Sequence, residues 1–201
     1  MTKHFLTINI IVFLFLCYSC KPSPQKAEKY YDDIIQPVEN VFDKEDELIS
    51  VINSERDTAN NDSVSIISDI DTAKSKDFIR RVDLAFSNLK IQVSVSKNKI
   101  DALPDFDKKN ILKQAAQNIL DEYADLCDHE YSELITIVKI PKEEYSSEDD
   151  DNFFKLSETI DNKLQEKMTA LITEIKLFAQ EYNFEIQHDS LQTIDNQGNS
   201  L

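Results

Sequence analysis

Apolar positions recur at alternating spacings of four and three along most of this chain, the pattern of helices that each bury one stripe. Ala27, Tyr31, Ile34, Val38, Val41, Leu48 and Ile52 form the first stripe, over about 24–53, with Glu45 in its one polar gap. Pro37 lies inside this stretch, removes a backbone donor and crowds the preceding turn, so a kink is expected there. Phe78, Val82, Ala85, Leu89, Val93, Ile100 and Leu103 form the second stripe, over about 72–103, where Ser96 is a weak point and Asp71 or Thr72 can cap the start. Ile91 to Val95 alternates like a strand, but helical spacing continues on both sides and no turn residue bounds the run. Leu112, Ala116, Ile119, Tyr123, Leu126, Leu134 and Ile137 predict a third helix over about 105–139, entered after Pro104 and ended by Pro141. Ile160, Leu164, Met168, Leu171, Ile175, Phe178 and Tyr182 predict a fourth over about 147–183, with Ser147 and Asp150 spaced as a capping box.

Helices of ~30 residues are roughly 45 Å long. The short connections near 101–106 and 140–147 make successive helices antiparallel, so the expected fold is all-α: an elongated antiparallel four-helix bundle over 26–184, with a polar tail at 185–201. Leu126, Leu164 and Leu171 should lie in its core. The longer connection 54–70 carries loop chemistry at Asn60-Asn61-Asp62-Ser63, followed by Val64, Ile66, Ile67 and Ile70, which are candidates to pack back on the bundle. The only glycine is Gly198, near the end, which argues against tight hairpins and removes phosphate loops and dinucleotide fingerprints.

The first twenty residues differ from the rest. Lys3 and His4 precede an apolar run from Ile8 to Leu16, broken only by Asn9, and the run closes on Cys17-Tyr18-Ser19-Cys20. The run is too short for a comfortable permanent span and has the charge order of a secretory signal. The cysteine at the cleavage point resembles a bacterial lipobox, with 1–19 removed, Cys20 acylated and 20–25 a short tether. Tyr18 departs from the small residue usual two positions before the cut; an ordinary signal peptide and an uncleaved anchor are the alternatives. Lipid on Cys20, palmitate among the acyl chains, would place the protein at the bacterial outer membrane.

Cleavage leaves 21 basic against 38 acidic residues, a formal charge of −17. That balance opposes nucleic acid and anionic membrane surfaces, and favours a partner with a basic face. With Cys17 removed and Cys20 acylated, Cys127 has no disulfide partner and reads as a small buried hydrophobe.

Candidate chemistry is sparse. Asp125, His129 and Glu133 follow one another at i, i+4 and i+8, the one candidate for metal ligands, although the apolar stripe turns them mostly outward. Glu143, Glu144 and Glu148 to Asp151 could attract a cation but lack the ligand spacing and central glycine of a calcium loop. Cys127 and His129 point to different faces and make no nucleophile–base pair, and no serine-nucleophile motif is present, so no catalytic residue and no cofactor is assigned. Of the aromatic pairs Tyr30-Tyr31 and Phe153-Phe154, one ring each should fill the core while the other forms an edge or partner patch.

Three phrases together resemble one known family. Lys26-Ala27-Glu28-Lys29-Tyr30-Tyr31-Asp32-Asp33-Ile34-Ile35 opens the first helix, Tyr131-Ser132-Glu133-Leu134 leads to Pro141 and Tyr145-Ser146-Ser147-Glu148-Asp149, and Phe178-Ala179-Gln180-Glu181-Tyr182-Asn183-Phe184 closes the fourth. Their order is similar to a family of bacterial lipoproteins first named as leptospiral surface proteins and common in Bacteroidetes. The resemblance implies a helical-bundle lipoprotein of the outer envelope and carries over no activity or catalytic residue. Lys21-Pro22-Ser23-Pro24-Gln25 lacks the acidic pair that resembles a Bacteroidetes surface-export signal, which leaves both periplasmic and surface faces open. The expected function is a tethered interaction or scaffold module without catalysis. A metal-binding bundle and a carrier of a small apolar ligand are the alternatives.

Overall fold

The computed structural model describes residues 22–61 and 68–186, with side chains placed at 22–54 and 76–186. The expected signal segment, Cys20, residues 62–67 with Val64, Ile66 and Ile67, and residues 187–201 of the expected tail lie outside the described residues, as do the side chains of Ile70, Asp71 and Thr72. The described residues form five helices and no strand: α1 Pro24–Asn61, α2 Ser68–Ala102, α3 Ile111–Asp128, α4 Glu130–Val138 and α5 Ser147–Tyr182. α3 and α4 together occupy the place of the third expected helix, so the architecture is an all-α bundle of four rods.

Polar pairs between rods establish the antiparallel order. Ser96 meets the backbone of Pro37. Lys97 pairs with Asp121 at 2.5 Å, Lys90 with Asp128 at 3.2 Å, and Asp83 with Lys139, so α2 numbering falls as α3 and α4 rise. Lys163 reaches Glu130 at 2.7 Å and Tyr182 reaches Asp107 at 2.9 Å, which reverses direction again for α5. α1 packs along α2, α2 along α3, and α3 with α4 along α5, while α1 also meets α3 and α5.

The stripes read from the sequence face inward. Leu126 and Leu171 are fully buried and Leu164 nearly so. Val93 is buried while Ile91 and Val95 are exposed, as helical rather than strand spacing requires. Ser96 fills its place in the core by donating to the Pro37 carbonyl at 2.6 Å and accepting from Gln92 Nε2 at 3.0 Å, so a buried hydroxyl is satisfied at the position that looked weak. α1 runs on through Pro37 and reaches Asn61, eight residues beyond the expected end near 53.

Four local expectations need correction. The third helix starts at Ile111, not 105. Asp107 Oδ1 accepts the backbone N–H groups of Lys109 (2.8 Å) and Asn110 (2.6 Å), and Asn110 sits in the left-handed region at φ 51, so 104–110 is a side-chain-stabilised turn. The third rod also breaks at His129, whose φ of −121 and ψ of −92 leave the helical region. That break resets the phase, burying Tyr131, Leu134 and Ile135 and leaving Ile137 half-exposed. The capping box lies one residue earlier than the spacing suggested: Ser146 Oγ accepts from Asp149 N, and Asp149 accepts from the Ser146 N–H at 2.8 Å. Finally, Tyr30 and Tyr31 are both buried rather than divided between core and edge, because residues 103–110 and 183–186 close over them. Phe153 and Phe154 do divide, one buried and one exposed.

Candidate functional site

The most unusual chemical feature of the described residues is a carboxylate in the middle of the core. Heptad spacing turns Glu45 of α1 inward between Val41 and Leu48, and the side chain is 3 % exposed. Tyr123 of α3 donates its hydroxyl to Oε2 at 2.5 Å, and Tyr131 of α4 donates to Oε1. Glu45 therefore joins α1 to both pieces of the broken rod, one on each side of His129. Burial pushes the Glu45 carboxyl up to about 7, against the two tyrosine hydrogen bonds, which favour the charged form. Burial, with the neighbouring Glu45 charge, holds both tyrosine hydroxyls well above their ordinary value. Cys127 lies in the same region, packed as a small buried side chain, and burial pushes its thiol up to about 12.

The pole where α1 begins is aromatic. Phe106, carried by the turn before α3, stacks on Tyr30 at 4.8 Å between centroids and meets Phe178 and Tyr182 edge-on at 5.4 and 5.1 Å. Tyr30 donates to Asn110 Oδ1 at 3.2 Å, and Lys113 Nζ donates to the Leu103 carbonyl at 2.6 Å, satisfying an end of α2. Beside this cluster lies an open cleft of about 430 Å³, edged by Ile111, Leu177 and Glu174. The mid-bundle core is built mainly of Leu, Ile, Phe and Tyr side chains, and this cleft lies at the pole.

The candidate metal trio is divided by the helix break. Asp125 opens the last turn of α3, His129 is the break residue, and exposed Glu133 belongs to α4. Asp125 and His129 do meet, with Nδ1 2.9 Å from the Asp125 carbonyl and 3.3 Å from its carboxylate, and these contacts raise the imidazole's proton affinity. Lys163 stands beside Asp125 (3.5 Å), Glu122 (3.8 Å) and Glu130 (2.7 Å), placing a cation where those carboxylates converge. Among the described residues, no group of three or more His, Cys, Asp and Glu side chains is arranged to hold a metal ion.

The opposite pole is acidic. Glu143, Glu144, Glu148 and Asp151 are exposed around the start of α5, together with Tyr145 and, at 57 % exposure, Phe154. Tyr145 donates to Asp150 at 3.0 Å, and Asp149 is held below the usual carboxylate range by its bonds to Ser146. α5 spans 36 residues, so this pole lies about 54 Å from the aromatic one.

Sequence reasoning noticed Glu45 only as a gap and passed over Tyr131, Phe106 and Lys113. A polar residue at an otherwise apolar heptad position was the signal for Glu45; nothing local marks the other three. No helix among the described residues is long and apolar enough to cross a membrane. Comparison with known proteins returns no match: no family profile, curated protein or solved structure matches this chain.

Proposed function

We propose that this chain is a non-catalytic interaction module of the bacterial envelope, tethered at one pole by lipid on Cys20 and engaging a basic protein partner at the other. The observation that carries the reading is the acidic pole: clustered carboxylates with two exposed aromatic rings, at the end of the bundle farthest from Pro24. Tethering is supported by the signal-like run ending at Cys20, by the three residues separating Cys20 from α1, and by the resemblance to the surface-lipoprotein family. A rod held by its aromatic pole would carry its acidic pole about 50 Å outward. Carboxylates there would speed encounter with a basic surface and lose effect with salt, while Tyr145 and Phe154 supply apolar anchors.

Two measurements test the two halves separately. Growth with an alkyne-bearing palmitate analogue should label the wild-type chain and leave Cys20→Ser unlabelled; equal labelling of both would overturn the tether. Crosslinking in intact envelopes should join the wild-type chain to a basic protein in a salt-sensitive manner. A variant carrying Glu143→Lys, Glu144→Lys and Phe154→Ala should lose that product. The same crosslinked product from both chains, or none beyond a control lipoprotein, would overturn the acidic pole as the docking surface.

A further inference from the structure

We propose that α4 is a pH-operated flap, closed over Glu45 through Tyr131 while that carboxyl carries its proton and opened when it ionises. α4 has nine residues, fewer than a helix needs to persist by itself in water. It begins at the His129 break without a side-chain cap, so the N–H groups of its first turn have no partner within the helix. It ends at Val138, three residues before Pro141. No glycine or proline lies between 105 and 140, so packing rather than a local breaker imposes the break. α4 is held by few anchors: buried Tyr131, Leu134 and Ile135, the Glu130 pair with Lys163, and, just past its end, the Lys139 pair with Asp83.

Tyr131 gives its hydroxyl to Glu45, and the two side chains are closed off from water together, at 1 % and 3 % exposure. Lifting α4 takes Tyr131 from one carboxylate oxygen and lets water reach it. Burial favours the neutral carboxyl and hydration the ionised one, so the closed flap is favoured below the carboxyl's titration and opening gains as pH rises through it. The charged neighbours oppose ionisation in the closed form. Asp46 of α1 and Asp161 of α5 both raise Glu45, and burial raises Asp161 itself. α3 presents Tyr123 and Cys127 and α4 presents Tyr131, all three kept protonated through neutral pH. α2 buries Ala85 and Leu89 and keeps Arg81 in an outer groove with Asp46. His129, exposed in the hinge, titrates against Asp125 and is the rival source of a pH response. Opening uncovers Tyr131, Leu134 and Ile135 beside the acidic pole, because α4 runs directly into the connection 139–146 before α5. The flap does not depend on what docks there.

The test is amide hydrogen exchange of the full-length chain, corrected for the intrinsic pH dependence of exchange. From pH 6 to pH 8, protection of residues 133–138 should fall about tenfold in the wild type, the ratio for a carboxyl that titrates at about 7 when closed and near 4.5 when open. Residues 164–175 of α5 should stay about tenfold or more better protected than α4 at both pH values. Glu45→Gln, which keeps a partner for both tyrosines, should remove the α4 response, whereas His129→Gln should retain it. The same fall in Glu45→Gln, or its loss in His129→Gln alone, would overturn the proposal. Equal exchange in α4 and α5 would make the opening global and would equally overturn the flap.

Discussion

Replacing Glu45 by Gln keeps the shape of the side chain and removes its titration. The amide oxygen can accept from one tyrosine and the amide nitrogen can donate to the other, so the packing of α1 against α3 and α4 is retained. In the wild type the folded carboxyl titrates at about 7 against a starting value of 4.5, because burial disfavours its charge. The folded chain thus holds this proton more tightly than the unfolded one. The stabilising contribution is complete below about pH 4.5, is eroded as pH rises, and is gone above about pH 7. The interval corresponds to roughly 3 kcal/mol at 1.36 kcal/mol per pH unit. For a domain of this size that is roughly 6–12 °C in Tm. Urea melts of both chains from pH 4.5 to 8.5 should give a difference curve that rises through the window and then flattens, with Glu45→Gln the more stable at high pH. Asp77, Asp107 and Asp149, which are held low, and His129, which is raised, titrate in both chains and cancel in the difference. A difference that stays constant from pH 5 to 8 would refute the assignment of a buried, titrating carboxyl at this position.

Two further outcomes follow from the packing. Leu126→Ala deletes a fully buried side chain near the rod break and should cost about 2–5 kcal/mol, read as a fall in Tm with helix content retained at low temperature. Cys127 in the native chain should react with a thiol reagent at least ~100-fold more slowly than in urea, since burial keeps the thiol protonated and covered; equal rates would place it at the surface.

The number of rods, the face each buries and the antiparallel order were legible in the sequence. Heptad spacing is a local property that a helix converts directly into a stripe, and the short connections leave little choice of direction. The near absence of glycine worked the same way, by exclusion. The sequence was less decisive wherever one segment's conformation depends on another. Residues 105–110 have no strong local objection to helix; Asp107 and the docking of Phe106 among Tyr30, Phe178 and Tyr182 wind them into a turn. Continuous helical spacing runs across His129, yet the rod breaks there, burying Tyr131 so that it and Tyr123 can both reach Glu45. The divided trio Asp125, His129 and Glu133 is a consequence of the same break. Glu45 itself looked like a flaw in a stripe because its partners lie 78 and 86 residues away. Periodicity reports how a helix relates to the core as a whole, whereas the identity of the group across the core is decided only when the rods pack.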